Sequence, residues 1–143
     1  MTESQKRQKT LVDEFSQCKD WESRYKKIIA MGKSLEKLDE SLYQEKFLVK
    51  GCQSQVWLHA HLDSHGKVIL QADSDALIVK GLVSLLLNIY SGLTPDEILS
   101  TSPDFIKELG FQKHLSPSRA NGFLSMIKQI MLYAQAFKMQ ESL

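Results

Sequence analysis

A chain of 143 residues that is 43% hydrophobic and 24% charged has the composition of one folded domain, which excludes intrinsic disorder. Its 18 basic and 17 acidic residues leave a formal net charge of +1, which excludes the broad cationic surface that nonspecific nucleic-acid binding needs. The most apolar stretch, Gly81 to Leu87, is far shorter than the ~20 residues that span a bilayer. The segment Met1 to Lys9 is charged with no apolar run after it, so no secretory signal is expected. The expectation is a cytoplasmic protein without nucleic-acid or membrane partners, whose two cysteines, Cys18 and Cys52, are reduced thiols. No internal repeat or low-complexity linker divides the chain, so residues 1–143 read as a single domain.

The first elements are helical. Leu11, Val12 and Phe15 recur at helical spacing and place Cys18 on the same face. Asp20 suits the N-cap of a second helix, with Trp21, Tyr25, Ile28 and Ile29 along one face and Gly32 as its stop. The period then changes. Val56, Leu58, Ala60 and Leu62 alternate with Trp57, His59 and His61, and after the turn residues Asp63-Ser64-His65-Gly66 the alternation resumes at Val68, Leu70 and Ala72. This predicts an antiparallel hairpin, joined by a third strand around Phe47 to Val49.

The last half is again helical. Val79, Leu82, Val83, Leu86, Leu87 and Tyr90 form an apolar stripe that Asp73, Ser74 or Asp75 can cap and Ser91-Gly92 ends. Thr94-Pro95, Ser102-Pro103 and Ser116-Pro117 each read as an N-cap followed by proline at the first helical position, and Glu97 completes a capping box with Thr94. The final helix runs from Pro117 to about Lys138, with Ala120, Phe123, Leu124, Ile127, Ile130, Met131, Ala134 and Phe137 facing the core. The predicted fold class is α+β, a small antiparallel three-stranded sheet with helices packed on one face.

Cys52 is the residue with most chemical content. Gly51 before it permits a left-handed backbone, and Gln53, Ser54 and Gln55 after it are polar, so the thiol reads as the tip of a loop between strands. The alternative, a small buried hydrophobe, stays open on residue type alone, and it is the preferred reading for Cys18. His59 and His61 share a strand face and His65 lies in the turn. With Cys52 they make a candidate zinc set, although a His-x-His pair without Cys-x-x-Cys is a weak signal and solvent-facing histidines are the plainer reading. No phosphate-binding loop, dinucleotide fingerprint or nucleophile elbow occurs. Arg119 falls in the first turn of the last helix, where the helix dipole disfavours a cation; such violations concentrate at functional sites, though surface residues also tolerate them, and the surface reading is the plainer one on this feature alone.

Three ordered motifs carry a family resemblance. Gly51-Cys52-Gln53-Ser54-Gln55-Val56-Trp57 resembles the active-site segment of the SufE family. Asp73-Ser74-Asp75-Ala76-Leu77-Ile78-Val79-Lys80-Gly81-Leu82 is similar to its Gly-Asp-Ser-Asp/Glu run leading into Ile-Val-Lys/Arg-Gly-Leu, with Ala72 in place of the usual glycine. Leu115-Ser116-Pro117-Ser118-Arg119-Ala120-Asn121-Gly122 is similar to its Leu-Thr/Ser-Pro-Ser-Arg-Ser-x-Gly, with Ala120 for the usual serine. The Gln-Ser-Gln after Cys52 looks more like the SufE branch than the paralogous CsdE branch.

The resemblance implies a SufE/NifU-like fold and a sulfur carrier. A cysteine desulfurase (SufS- or CsdA-like), using pyridoxal phosphate, would pass a persulfide sulfur to Cys52, which relays it to an iron–sulfur cluster assembly scaffold. The protein would activate that enzyme without being a free-standing one. It would hold no cofactor or metal of its own beyond a transient persulfide on Cys52, and act as a monomer or weak homodimer. Arg119 would attract the anionic persulfide or the partner, Gln53 or His59 would orient the sulfur, and Asp75 would serve the site or cap the following helix. The cysteine is expected in an apolar niche when free, so its loop must swing out. The alternative is a zinc- or iron–sulfur-binding scaffold or interaction module using Cys52 and the hairpin histidines.

Overall fold

The computed structural model describes residues 1–141. Helix α1 (Glu3–Ser16) opens with a reciprocal cap between Thr2 and Gln5 and buries Leu11 and Phe15. It stops short of Cys18, which lies half-buried in the connection. Helix α2 (Trp21–Lys33) starts where the Asp20 carboxylate accepts from Ser23 N at 2.8 Å. Gly32 does not stop this helix. It lies buried inside it, because its missing side chain is used for contact with a neighbouring helix and not for a turn.

The chain then makes two single 3-10 turns, Glu40–Leu42 and Glu45–Phe47, before the hairpin of β1 (Val56–Leu62) and β2 (Val68–Ser74). Register runs from Val56 opposite Ser74 to Leu62 opposite Val68. Val56, Leu58, Val68, Leu70 and Ala72 face the core, as the alternation requires. The expected third strand is not formed; among the described residues the sheet has two strands. Leu48 makes one isolated bridge to Trp57, and Val49 N donates to Val56 O at 2.8 Å. The 3-10 turn just before and the turn at Lys50-Gly51 just after leave room for nothing longer.

Helix α3 (Leu77–Tyr90) is the centre of the molecule. Leu82, Leu85, Leu86 and Ile89 are at most 1% exposed, so this helix is apolar around most of its circumference and is covered on several sides. None of the expected residues caps it. Ala76 holds the cap position without a side-chain bond, while the carboxylates of Asp73 and Asp75 are engaged elsewhere. Helix α4 (Pro95–Leu99) has the expected capping box between Thr94 and Glu97. Ser102-Pro103 begins a turn, and the short α5 (Phe105–Glu108) starts two residues later than the Ser-Pro pair suggests. A second short helix, α6 (Phe111–His114), precedes α7 (Pro117–Glu141). On α7 the predicted stripe is right at Phe123, Ile127, Ile130 and Ala134, but Leu124 is 54% exposed and Met126 is the buried residue of that turn.

The hairpin packs its inner face on α3 and α7. Tyr133 of α7 reaches across to donate to Leu58 O of β1 at 2.9 Å. Phe111 anchors the start of α7 by edge-on contacts with Phe15, Trp21 and Phe123. Helices α2 and α3 meet backbone to backbone. A Cβ on Gly81 would lie 2.1 Å from Ile28 O, and one on Gly32 would lie 2.7 Å from Gly81 N. Overpacking there has no flexible side chain to yield, so Gly81→Ala should cost about 2–3 kcal/mol. For a chain of this size the melting temperature should fall by roughly 5–10 °C, read by thermal unfolding.

Candidate functional site

Residues 50–55 form a loop between the Leu48–Trp57 bridge and β1. Its entry needs a left-handed residue: Gly51 has φ +90°, which a side chain would strain. Its exit is clasped to the start of α3. Gln55 N donates to the Asp75 carboxylate at 3.0 Å, and Ser74 Oγ donates to Gln55 O at 2.8 Å. Between these fixed ends, Cys52 lies on the first turns of α7, its thiol donating to Gly122 O at 3.6 Å.

Beside the sulfur is a cavity of about 360 Å³. Its apolar wall is Val79 and Leu82 of α3 with Phe123 and Met126 of α7; its polar mouth carries Gln53, Ser116 and Arg119. Ser116 Oγ accepts from Arg119 N at 3.3 Å, which caps α7 and sets the exposed Arg119 side chain at the mouth. Burial pushes the Cys52 thiol above its ordinary pKa, because the thiolate loses water and the neutral thiol does not.

Cys52, Gln53 and Arg119 therefore line one cavity. Asp75 stands at the base of the loop as its clasp. His59 does not join them. It lies on the outer face of the hairpin, with Phe47 edge-on to its ring and Gln71 Oε1 3.4 Å from its Nδ1. His61 neighbours it on that same outer face, away from the cysteine. Among the described residues no three His, Cys, Asp or Glu side chains come together to hold a metal ion, so the set that the zinc alternative needs is not assembled.

Sequence reasoning missed the buried knot beneath the loop. Asp73 accepts from Tyr43 OH at 2.6 Å and from Ser74 N at 2.8 Å, and lies 3.3 Å from Lys80 Nζ. Tyr43 also accepts from Leu38 N and stacks edge-on against Trp57. The knot ties the segment before the loop to β2 and α3. Asp73 and Lys80 stand inside a recognised motif, but only a contact across 30 residues reveals Tyr43 as their partner.

Two measurements follow from this geometry. Tyr43→Phe removes a hydrogen bond from a buried carboxylate and should lower stability by about 1.5–3 kcal/mol in urea unfolding. The alkylation rate of Cys52 in Cys18→Ser protein should rise with pH along a curve displaced upward from that of the same chain in urea. The sign is set by the proton: the folded protein holds it more tightly. Its stabilising effect is full below the ordinary thiol value and is lost as pH rises through the folded one.

Known proteins give the constellation its context. Residues 9–134 match the SufE family, described as an Fe-S metabolism associated domain. An uncharacterized SufE-like protein of Synechocystis sp. (strain PCC 6803) is 44% identical over 132 residues, which cover 92% of this chain and 82% of that protein. The solution structure of a hypothetical protein from Thermus thermophilus superposes with a TM-score of 0.77 at 22% identity, over 93% of this chain and 96% of that one, and so shares the fold. No helix among the described residues is long and apolar enough to cross a membrane. With a family match over residues 9–134 and a SufE-like relative 44% identical across most of both chains, the chain belongs to the SufE family, whose domain is associated with iron–sulfur metabolism.

Proposed function

We propose that Cys52 accepts a persulfide sulfur from a cysteine desulfurase and relays it to an iron–sulfur assembly scaffold, stimulating the desulfurase as it does so. The observation that carries this reading is the position of the thiol: on a loop whose backbone is clasped at its ends, beside a cavity with an arginine at its mouth. In the transfer step the Cys52 thiolate attacks the outer sulfur of the partner's persulfide. A new S–S bond forms on Cys52, the partner's S–S bond breaks, and the electron pair leaves with the partner's cysteine as thiolate. The proton of Cys52 departs before attack, and no net oxidation occurs.

The sheltered position works against that attack, since it favours the thiol. Docking therefore has to lift the loop into the partner's site. Arg119, exposed and already at the mouth, supplies a fixed positive charge for the persulfide or for an acidic group of the desulfurase. Asp75 acts in this scheme as the hinge clasp, and Gln53, next to Cys52 in the chain and lining the same cavity, as the amide that orients the sulfur. Shelter in the free protein protects the sulfur from oxidation to sulfenic and higher acids.

Intact-mass spectrometry after incubation with a cysteine desulfurase and cysteine tests the reading. One or more added sulfur atoms should appear on the wild-type and Cys18→Ser proteins and be missing from Cys52→Ser; sulfur retained by Cys52→Ser would sink it. Arg119→Ala should slow transfer roughly tenfold, the loss of one charge-assisted contact, while leaving the melting temperature unchanged.

A further inference from the structure

Gly122 ends the third motif and takes no part in the transfer chemistry. It lies buried within α7, in a helical backbone, where glycine is among the poorest residues for local stability. Its local conformation does not call for glycine, since it is not among the positive-φ positions. What surrounds it is specific. Beyond its chain neighbours and the local backbone of its own helix, the three heavy atoms nearest to a Cβ built on Gly122 all belong to Cys52: Sγ at 3.5 Å, Cα at 3.9 Å and Cβ at 3.9 Å. A methyl group would meet the cysteine in ordinary contact. A longer side chain starts against the cysteine and must share its space or enter the cavity that Gly122 also lines.

A second contact lies one turn further along the same helix. A Cβ on Gly51 would stand 2.6 Å from Ser125 Oγ, so the loop backbone rests directly on α7 there as well. The loop is thus seated at two successive points, Gly51 on Ser125 and Cys52 on Gly122. By contrast, the thiol's own hydrogen bond, at 3.6 Å to Gly122 O, is a weak attachment. Close fit against the bare Gly122 and the short side chain of Ser125, more than polar bonding, holds the cysteine down.

We propose that Gly122 is a positioning residue for Cys52: its missing side chain is the seat that keeps the cysteine sheltered, and a side chain longer than methyl at this position releases the loop and uncovers the thiol. The purpose of the seat rests on the sulfur-acceptor reading, but its existence does not. The seated and released positions differ in exposure of one reactive group, so residue 122 sets how much of the free protein is reactive before any partner binds.

The test uses the full chain in a Cys18→Ser background, with iodoacetamide as the probe and no desulfurase present. Alkylation of Cys52 is followed across pH for the parent, Gly122→Ala, Gly122→Val and Gly122→Met. Gly122→Ala should stay within about twofold of the parent, because its methyl fits. Gly122→Val and Gly122→Met should react about fivefold faster at neutral pH, with the titration displaced down toward that of the urea-unfolded chain. Profiles superimposing on the parent, in variants whose cooperative melting shows them folded, would overturn the proposal. Failure of both variants to fold would overturn it equally, since the proposal holds that the helix accepts the side chain once the loop leaves. A chain that gains alkylation as expected yet takes no sulfur from a desulfurase would keep the seat and lose the sulfur-acceptor function; the reverse pattern would do the opposite.

Discussion

The structure depends on a contact in which two helices touch through their backbones. Gly32 and Gly81 remove the side chains that would hold α2 and α3 apart, and Ile28 O occupies the space where a Cβ of Gly81 would be. Drawn against α2 in this way, α3 sinks to the middle of the molecule and is covered by β2 and α7 on other sides. Its N-terminal half then has one fixed place, and that place supplies Val79 and Leu82 to the cavity beside Cys52. The clasp residues Ser74 and Asp75 lead directly into the same helix, so the base of the cysteine loop inherits its position from the helix crossing.

The loop itself is built on an opposition between ends and middle. Its ends are held by ordinary hydrogen bonds: the Val49–Val56 pairing before it, and the bonds from Gln55 to Ser74 and Asp75 after it. Beneath, the Tyr43–Asp73–Lys80 knot fixes the strand from which the clasp emerges. The middle, carrying the sulfur, lies on α7 by shape. A group held in this manner is sheltered by contacts that are separate from the hydrogen bonds of the framework. The cost of that shelter is a thiol biased toward its unreactive protonated form.

Much of this was legible in the chain. The hairpin alternation, the Asp20 and Thr94 caps and the long final helix all follow from local spacing and capping chemistry, which are decided within a few residues. The candidate cysteine and arginine were legible too, each through a local anomaly: a polar segment behind a glycine, and a cation in the first turn of a helix. The third strand was not, because apolar residues at Phe47 to Val49 satisfy a strand pattern as easily as they satisfy a single bridge between turns. Gly32 misleads for a related reason. A glycine near the end of an apolar stripe has the same local signature whether it ends the helix or admits another backbone.

The residue pattern by itself determined the hairpin, the long helices, the family and the two chemically distinctive side chains, since periodicity, capping and an ordered motif are properties of neighbouring residues. The tertiary structure decided which of those side chains meet. It set Arg119 on the cavity that Cys52 and Gln53 line, turned His59 to the outer face of the hairpin, and, of the two roles open to Asp75, used it at the base of the loop and not as the helix cap. It also revealed what lies under the sulfur, a helix position with no side chain. The physical reason is that contact between residues 70 positions apart is set by how helices and strands pack, and a side chain's absence acquires meaning only from what fills its space.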